Sequence, residues 1–368
     1  MKKIDPLIQW WVTPKLPAND ITAKHNPISK WITHPGKRRI AKWYLQFLKN
    51  NTDIKVIGIT GSAGKTTTKE MLAAILRLDG KTIYTPKNVD SVYSIPNTIL
   101  RTPIGTKYLV LEMGVEYPGE MDFYLWLAKP NIVIITNIFP THLEFLGDIE
   151  GVFKEKSKLV LSLPSDGIAV LNSGDAKLKS ISKNLKARVV WFNPDKNPID
   201  QNANAASAAA RSLGIPEDII KNGLSNYQRP EHRLHFIKHK SGAVILDDSY
   251  NSNPWAALAT LEYFNSIAKG KKVAILGDML ELGNYDETAH RELGLAVAKS
   301  NFEVVIAVGK SSKFLIEEVN KLSKNTKTYL FSATEEAFPV ASKLLNKDTT
   351  LLVKGSHSIG LDKLVAKL

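Results

Sequence analysis

The sequence predicts an α/β protein, with a P-loop-type, mostly parallel sheet ATPase domain followed by a Rossmann-like α/β domain. Three observations lead there. From residue 54 onward, short apolar runs of strand length alternate with stretches of helix length, the pattern of parallel strands covered on both faces. The alternation pauses near Tyr227–His232 and then resumes, which makes two such domains in series. The first apolar run ends in a glycine-rich turn that opens a helix.

The first series of strand-like runs is Val56–Thr60, Tyr108–Met113, Ile132–Thr136, Ile168–Leu171 and Val189–Phe192. Helical stretches such as Lys65–Leu78, Glu120–Leu127 and Ile149–Leu163 lie between them. The second series is Ala243–Asp247, Lys272–Leu276, Val304–Val308, Thr328–Phe331 and Thr350–Val353. No short repeat and no low-complexity tract interrupts either. The expected organisation is a front segment at 1–50, an ATP-binding domain at 51–227 and a C-terminal domain at 228–368.

The front segment differs from the rest. Of the net charge of +13, residues 1–50 carry +8, from ten Lys or Arg against two Asp. Four of the seven tryptophans, Trp10, Trp11, Trp31 and Trp43, fall here, among prolines at 6, 14, 17, 27 and 35. From Gly36 to Lys49 the residues Ile40, Trp43, Tyr44, Phe47 and Leu48 recur at helical spacing among basic ones, which predicts a basic amphipathic helix. Such a bias suggests an anionic partner; a solvated basic arm is the alternative. With no cysteine, disulfides, thiolate metal sites and a cysteine nucleophile are excluded. No apolar run approaches the ~20 residues of a membrane span, and the N-terminus does not read as a signal peptide. A cytoplasmic location is expected. Most of the positive excess lies at the front and no nucleic-acid motif accompanies it, so no nucleic-acid partner is expected.

Thr60, Gly61, Ser62, Ala63, Gly64, Lys65, Thr66 and Thr67 carry the strongest local signal. Glycines let several backbone N–H groups converge on one anion, and the helix that Lys65 opens adds positive potential. Lys65 suits the outer phosphates of a nucleotide, and the Thr66 hydroxyl suits Mg²⁺. Ile59 stands where the general phosphate-loop pattern has a glycine, so the spacing fits a G-x-x-G-K-T subtype. Glu112 ends a strand, where a carboxylate can hold Mg²⁺ or simply be an ordinary strand-end acid. His142 follows another strand end and alone reads as structural.

The segments Thr60–Thr67, Leu111–Gly114 with Gly119–Glu120, Ile135–His142, Val152–Lys156, Asp247–Pro254, Leu276–Gly283 and Val353–Ser356 resemble, in order, the motifs of the Mur ligase family. Asp247–Pro254 and Leu276–Gly283 resemble its MurF branch in particular. The resemblance covers nearly everything from residue 54 onward. It implies a cytoplasmic ATP-dependent ligase of cell-wall peptide synthesis. Such an enzyme phosphorylates a carboxylate acceptor to an acyl phosphate, then joins it to an amino acid or dipeptide.

The implied metal ligands, for two Mg²⁺ ions, are Thr66, Glu112, His142 and Lys156, the last as a carbamate formed with CO₂. Carbamylation needs a neutral amine, which burial favours; the alternative is a surface lysine in the Lys154–Lys158 cluster. Lys158 replaces an acidic residue often found in MurF. Asn137 is implied in positioning phosphates or metal. Asn202 matches an adenine-contacting Asn, or else caps the alanine-rich helix that follows. Arg233 is implied at the phosphates, with His232 where Gly is usual. Asp248 is implied at the ribose with Tyr250, Asn251 and Asn253 nearby, unless the strand-end acids are merely solvated. ATP is expected between the two domains.

Residues 1–50 look unlike the UDP-binding domain that opens MurF proteins, so the acceptor is expected to be held in another way. The front segment is expected either to bind that acceptor or to rest peripherally on the inner membrane face. Two rival readings remain: a folylpolyglutamate- or polyglutamate-type ligase of the same superfamily, and a non-catalytic ATP-binding protein.

Overall fold

The computed structural model describes residues 7, 10, 11, 32–86 and 91–368. The proline-broken stretch 12–31, with Trp31, lies outside them. The chain forms two compact units. The first takes Met1–Ile138, Asp148–Pro194 and Gln201–Gln228, and the second takes Phe139–Gly147, Asp195–Asp200 and Arg229–Leu368.

The first unit is built on strands β1 (Lys55–Thr60), β2 (Thr82–Tyr84), β3 (Tyr108–Glu112), β4 (Ile132–Ile135), β5 (Ile168–Asn172) and β6 (Arg188–Phe192). They lie in the order β2-β3-β1-β4-β5-β6, all parallel. Val56, Ile57, Ile59, Leu109, Val110, Leu111, Val133 and Ile134 are wholly buried. Such two-sided burial explains why the strands read as unbroken apolar runs rather than alternating ones. β1 lies between β3 on one side and β4 on the other, and after β3 the chain crosses from the first side to the second. That reversal opens a crevice beyond the C-terminal end of β1, where open α/β sheets bind ligands.

The second unit contains β7 (His235–Lys238), β8 (Val244–Asp248), β9 (Lys271–Gly277), β10 (Val304–Val308), β11 (Lys327–Phe331) and β12 (Thr349–Lys354). Their order is β11-β10-β9-β12-β8-β7, parallel except for the β7–β8 hairpin. Apolar layers cover both faces, one centred on Phe264, Leu276 and Phe302, the other on Ile275, Ile306 and Val353.

The basic amphipathic helix runs from His34 to Asn51 and packs on the first unit. Its inward face includes Ala41, Leu45 and Leu48, but also His34, Arg38 and Arg39. His34 Nε2 lies 3.1 Å from the Val92 carbonyl. The Arg38 guanidinium sits over the Phe123 ring, and Arg39 lies over Trp10, Trp11 and Trp126. Two of the helix's basic residues are thus turned inward by aromatic partners. Ile40, Trp43 and Phe47 form the outward stripe instead.

Helix Lys65–Asp79, which starts at the phosphate loop, is backed by helix Glu217–Ser225. Gly223 permits that approach, since a Cβ there would stand 2.5 Å from Ile75 Cα and 2.8 Å from its nitrogen. Gly223→Ala should therefore push two helices apart and destabilise the chain by about 1–3 kcal/mol, read as a lower midpoint in urea unfolding with an unchanged slope.

Candidate active site

The phosphate loop is shaped by the strand next to it. Gly61 and Gly64 have φ of 146° and 81°, backbone that side chains rarely tolerate. A Cβ on Gly61 would meet Thr136 Oγ1 at 1.9 Å, and one on Gly64 would meet Asn202 Oδ1 at 2.2 Å. Thr136 donates from Oγ1 to the Ala63 carbonyl at 2.6 Å. Asn137 grips the same residue twice, accepting from Ala63 N at 2.8 Å and donating to its carbonyl at 3.2 Å. Ser62 N in turn donates to the Asn137 carbonyl at 3.1 Å. Asn137 thus acts through the loop, holding its backbone open for an anion. Lys65 folds back to donate to the Gly61 carbonyl at 3.0 Å. Thr60 closes the strand below, its hydroxyl donating to the Met113 carbonyl, and Thr67 is half-buried in the first helical turn.

Asn202 is not a helix cap. It lies inside helix Pro198–Ser212, buried, and accepts from the Thr68 hydroxyl at 3.3 Å against the loop. The helix begins five residues earlier than a cap at Asn202 would require.

Thr66 Oγ1 donates to Glu112 Oε1 at 2.8 Å, so two hard oxygen donors of the kind Mg²⁺ prefers meet at the helix start. The other carboxylate oxygen of Glu112 lies 3.3 Å from the Lys69 ammonium, which is fully buried and equally close to Glu70. Thr85 Oγ1 accepts from Glu112 N, and Ser91 Oγ donates to its carbonyl. Lys69 was not among the expected residues. It sits three residues after Thr66, one helical turn on, and that spacing alone could have pointed to it.

Lys156 is fully buried in helix Ile149–Leu161, which excludes the surface-lysine alternative. Its Nζ has no hydrogen-bond partner. Burial, then the nearby Lys65 ammonium, pushes the amine down from 10.5 to about 7, against an opposing pull from Glu120, Glu155 and Glu116. At pH 7 about half of such amines are neutral, against roughly one in three thousand for an ordinary lysine. An orphaned, neutral-poised amine beside the phosphate-loop lysine fits the carbamate expectation. Lys158 makes ion pairs with Asp122 and Glu155, each at 2.7 Å. The lysine that replaces an acid is therefore neutralised locally.

The other expected residues belong to the second unit. His142 has φ of 53° and meets Glu281 Oε2 through Nδ1 at 2.5 Å. Arg233 lies over the Tyr250 ring, 4.1 Å to its centroid, and its Nε is buried with no partner. Tyr250 in turn faces the His357 ring. The strand-end acids are not solvated. Asp247 accepts from Ser249 and meets His232 Nδ1 at 2.7 Å. Asp248 takes the Lys354 ammonium at 2.6 Å, the Thr260 hydroxyl at 2.8 Å and Leu234 N at 3.1 Å. Asn253 caps helix Pro254–Ile267, accepting from Ala256 N, while Asn251 is exposed. His232 has φ of 60°, which gives a physical reason for the glycine usual at that position. Among the described residues, no group of three or more His, Cys, Asp or Glu gathers as a metal cluster. The expected ligand set contains only two such residues, and they fall in different units.

The Mur ligase middle domain matches residues 59–222, and the Mur ligase, glutamate ligase domain matches residues 232–357. The chain is similar to the UDP-N-acetylmuramoyl-tripeptide–D-alanyl-D-alanine ligase of Buchnera aphidicola subsp. Baizongia pistaciae, with 32% identity covering 90% of this chain and 78% of that one. The same-named ligase of Bacillus subtilis is also 32% identical, with the same coverage. The crystal structure of MurF from Acinetobacter baumannii superposes with a TM-score of 0.81 at 27% identity, over 91% of this chain and 80% of that chain.

The depressed Lys156 amine has a stability signature. Between pH 7 and 10.5 the unfolded chain holds a proton that the folded chain does not, so in CO₂-free buffer stability should rise with pH across that window. Lys156→Met removes the buried amine. It should be more stable than the parent at pH 7, by on the order of a few kcal/mol, and the gap should close towards pH 10.5. Chemical denaturation at several pH values measures both.

Proposed function

The chain belongs to the Mur ligase family, and from that membership we propose that it joins D-alanyl-D-alanine to the terminal carboxylate of a muramoyl-peptide acceptor, with ATP as the energy source. The observation that carries this reading is the buried Lys156 amine beside the phosphate loop, held near neutrality by its surroundings. A simple nucleotide-binding module has no use for it.

The chemistry needs two anions to approach each other. A carboxylate oxygen of the acceptor attacks the γ-phosphorus of ATP, the bond to the β-phosphate oxygen breaks, and ADP leaves. The amine of the dipeptide then attacks the acyl carbon, phosphate departs, and the amine gives up a proton as the amide forms. Nothing here requires a protein nucleophile, so the chain's work is positioning and charge neutralisation. Backbone N–H groups of Gly61–Lys65, kept open by Thr136 and Asn137, suit the nucleotide phosphates, and Lys65 suits the transferring one. Asn202 lies against Gly64 and is assigned to the adenine. Arg233, aligned by stacking on Tyr250, offers a guanidinium to phosphate oxygens.

Mg²⁺, held by Thr66 and Glu112 with His142 and carbamylated Lys156, would supply further positive charge at the reacting oxygens. Lys69 pairs with Glu112 and orients it. Asp248, Tyr250 and Asn251 are assigned to the nucleotide. The side chain of Asn253 caps the helix that follows them.

The reading is tested with purified protein, ATP, Mg²⁺, UDP-muramoyl-tripeptide and D-alanyl-D-alanine. Phosphate release should require both co-substrates, and mass spectrometry should find the pentapeptide product. Lys65→Ala should lower the rate at least 100-fold. Release driven instead by glutamate with a folate or polyglutamate acceptor would overturn the substrate assignment. Incubation with ¹³C-bicarbonate should give a carbamate signal that Lys156→Met lacks.

The front helix carries a second element of the proposal, peripheral contact with an anionic membrane. No helix among the described residues is long and apolar enough to cross one. Ile40, Trp43 and Phe47 are about half exposed or more, and Lys37 is exposed beside them. Because Arg38 and Arg39 face inward, the contact would rest chiefly on apolar insertion. Full-length protein should co-sediment with phosphatidylglycerol vesicles and lose little binding at raised salt, while Trp43→Ser/Phe47→Ser should fail to sediment. Equal binding by both proteins would remove the membrane element and leave the ligase reading intact.

A further inference from the structure

The loop Phe139–Gly147, which carries His142, is pinned to the second unit by one residue above all. Glu281 receives His142 Nδ1 on its side chain at 2.5 Å and Glu144 N on its carbonyl at 3.1 Å. The ring of Phe139, at the start of the loop, stacks on Trp255 with 4.1 Å between centroids. Both partners of the central contact are non-glycine residues in the left-handed region, His142 at φ 53° and Glu281 at φ 63°. Such backbone persists only where neighbours over-determine it, and it collects at functional sites.

The neighbours of Glu281 do over-determine it. Met279 N donates to His290 Nε2, Leu280 N donates to Ser356 Oγ, and Leu282 is buried. The Glu281 side chain itself is 37% exposed, so it is not needed to fill the core. Its position is spent on a carboxylate aimed at one imidazole nitrogen.

We propose that Glu281 is a positioning residue for His142. By accepting from Nδ1–H it fixes the tautomer and plane of the ring, so that Nε2 is the nitrogen presented to a divalent cation. A carboxylate behind a ligating imidazole orients the ring and raises its basicity. The inference rests on the reading of His142 as a metal ligand. It adds a residue that the expected ligand set does not contain, from a segment, Leu276–Gly283, that the sequence singled out without giving it a role.

The test uses Mn²⁺ as the probe, titrated by electron paramagnetic resonance into full-length protein with ADP present, alongside melting temperatures without metal. Glu281→Ala should weaken the more labile Mn²⁺ site about 10–100-fold. Glu281→Gln, whose amide oxygen can still accept from Nδ1–H, should recover most of that loss. Glu281→Gly relaxes the left-handed backbone while deleting the carboxylate. It should bind Mn²⁺ as poorly as Glu281→Ala yet melt no lower than that variant. His142→Ala is the reference and should lose the same site.

If His142→Ala weakens Mn²⁺ while Glu281→Ala and Glu281→Gly bind like the parent, the pair merely fastens the loop and the proposal falls. Failure of Glu281→Gln to recover affinity overturns the hydrogen-bond account. If His142→Ala itself binds like the parent, the ligand reading fails first and this inference with it.

Discussion

The phosphate loop stays open because side chains from the neighbouring strand end occupy the space that its own side chains cannot. Thr136 and Asn137 supply three hydrogen bonds to Ala63, and Gly61 and Gly64 leave room for Thr136 and Asn202. A concavity of backbone N–H groups is unfavourable without an anion to fill it, since its dipoles point the same way. The strand end that follows β4 stabilises it from behind. The same contacts fix the start of helix Lys65–Asp79, and hence the side chains of Thr66 and Lys69 against Glu112. Phosphate recognition and cation recognition therefore share one scaffold, and its rigidity derives from the parallel sheet.

Charge within that scaffold is arranged so that no ionised group is left alone. Glu112 has Thr66 and Lys69, and Lys158 has Asp122 and Glu155. Lys156 departs from the rule: without a hydrogen-bond partner, its amine is pushed down by burial to about 7. A buried amine that cannot be paired is a destabilising feature retained against the stability of the fold, as residues kept for chemistry commonly are.

Much of this was legible in the sequence. Buried parallel strands are long apolar runs, and ten of the twelve strands were read from such runs, close to their observed bounds. The two that escaped, Thr82–Tyr84 and His235–Lys238, are short edge strands whose burial is partial, so they carry little apolar signal. Residues marked by glycine spacing or by segment likeness could be named from the sequence. Residues whose role comes from a contact distant in sequence were not: Glu281 meets His142 across 139 positions, and Lys354 meets Asp248 across 106. The inward turn of Arg38 and Arg39 was hidden for the same reason. A helical wheel gives the angle of a side chain, but not the aromatic ring that awaits it.

His232 has a consequence for how this chain can change. Glycine would adopt its left-handed backbone without steric penalty. Imidazole needs an outside hold, which the wholly buried Asp247 provides. The two positions, fifteen apart in the chain, have become one thermodynamic unit. Reverting His232 to glycine eases the backbone but strips a buried carboxylate of its cation-capable neighbour. Altering Asp247 first leaves a strained imidazole with nothing to keep it. The cost of changing either residue therefore depends on which residue stands at the other.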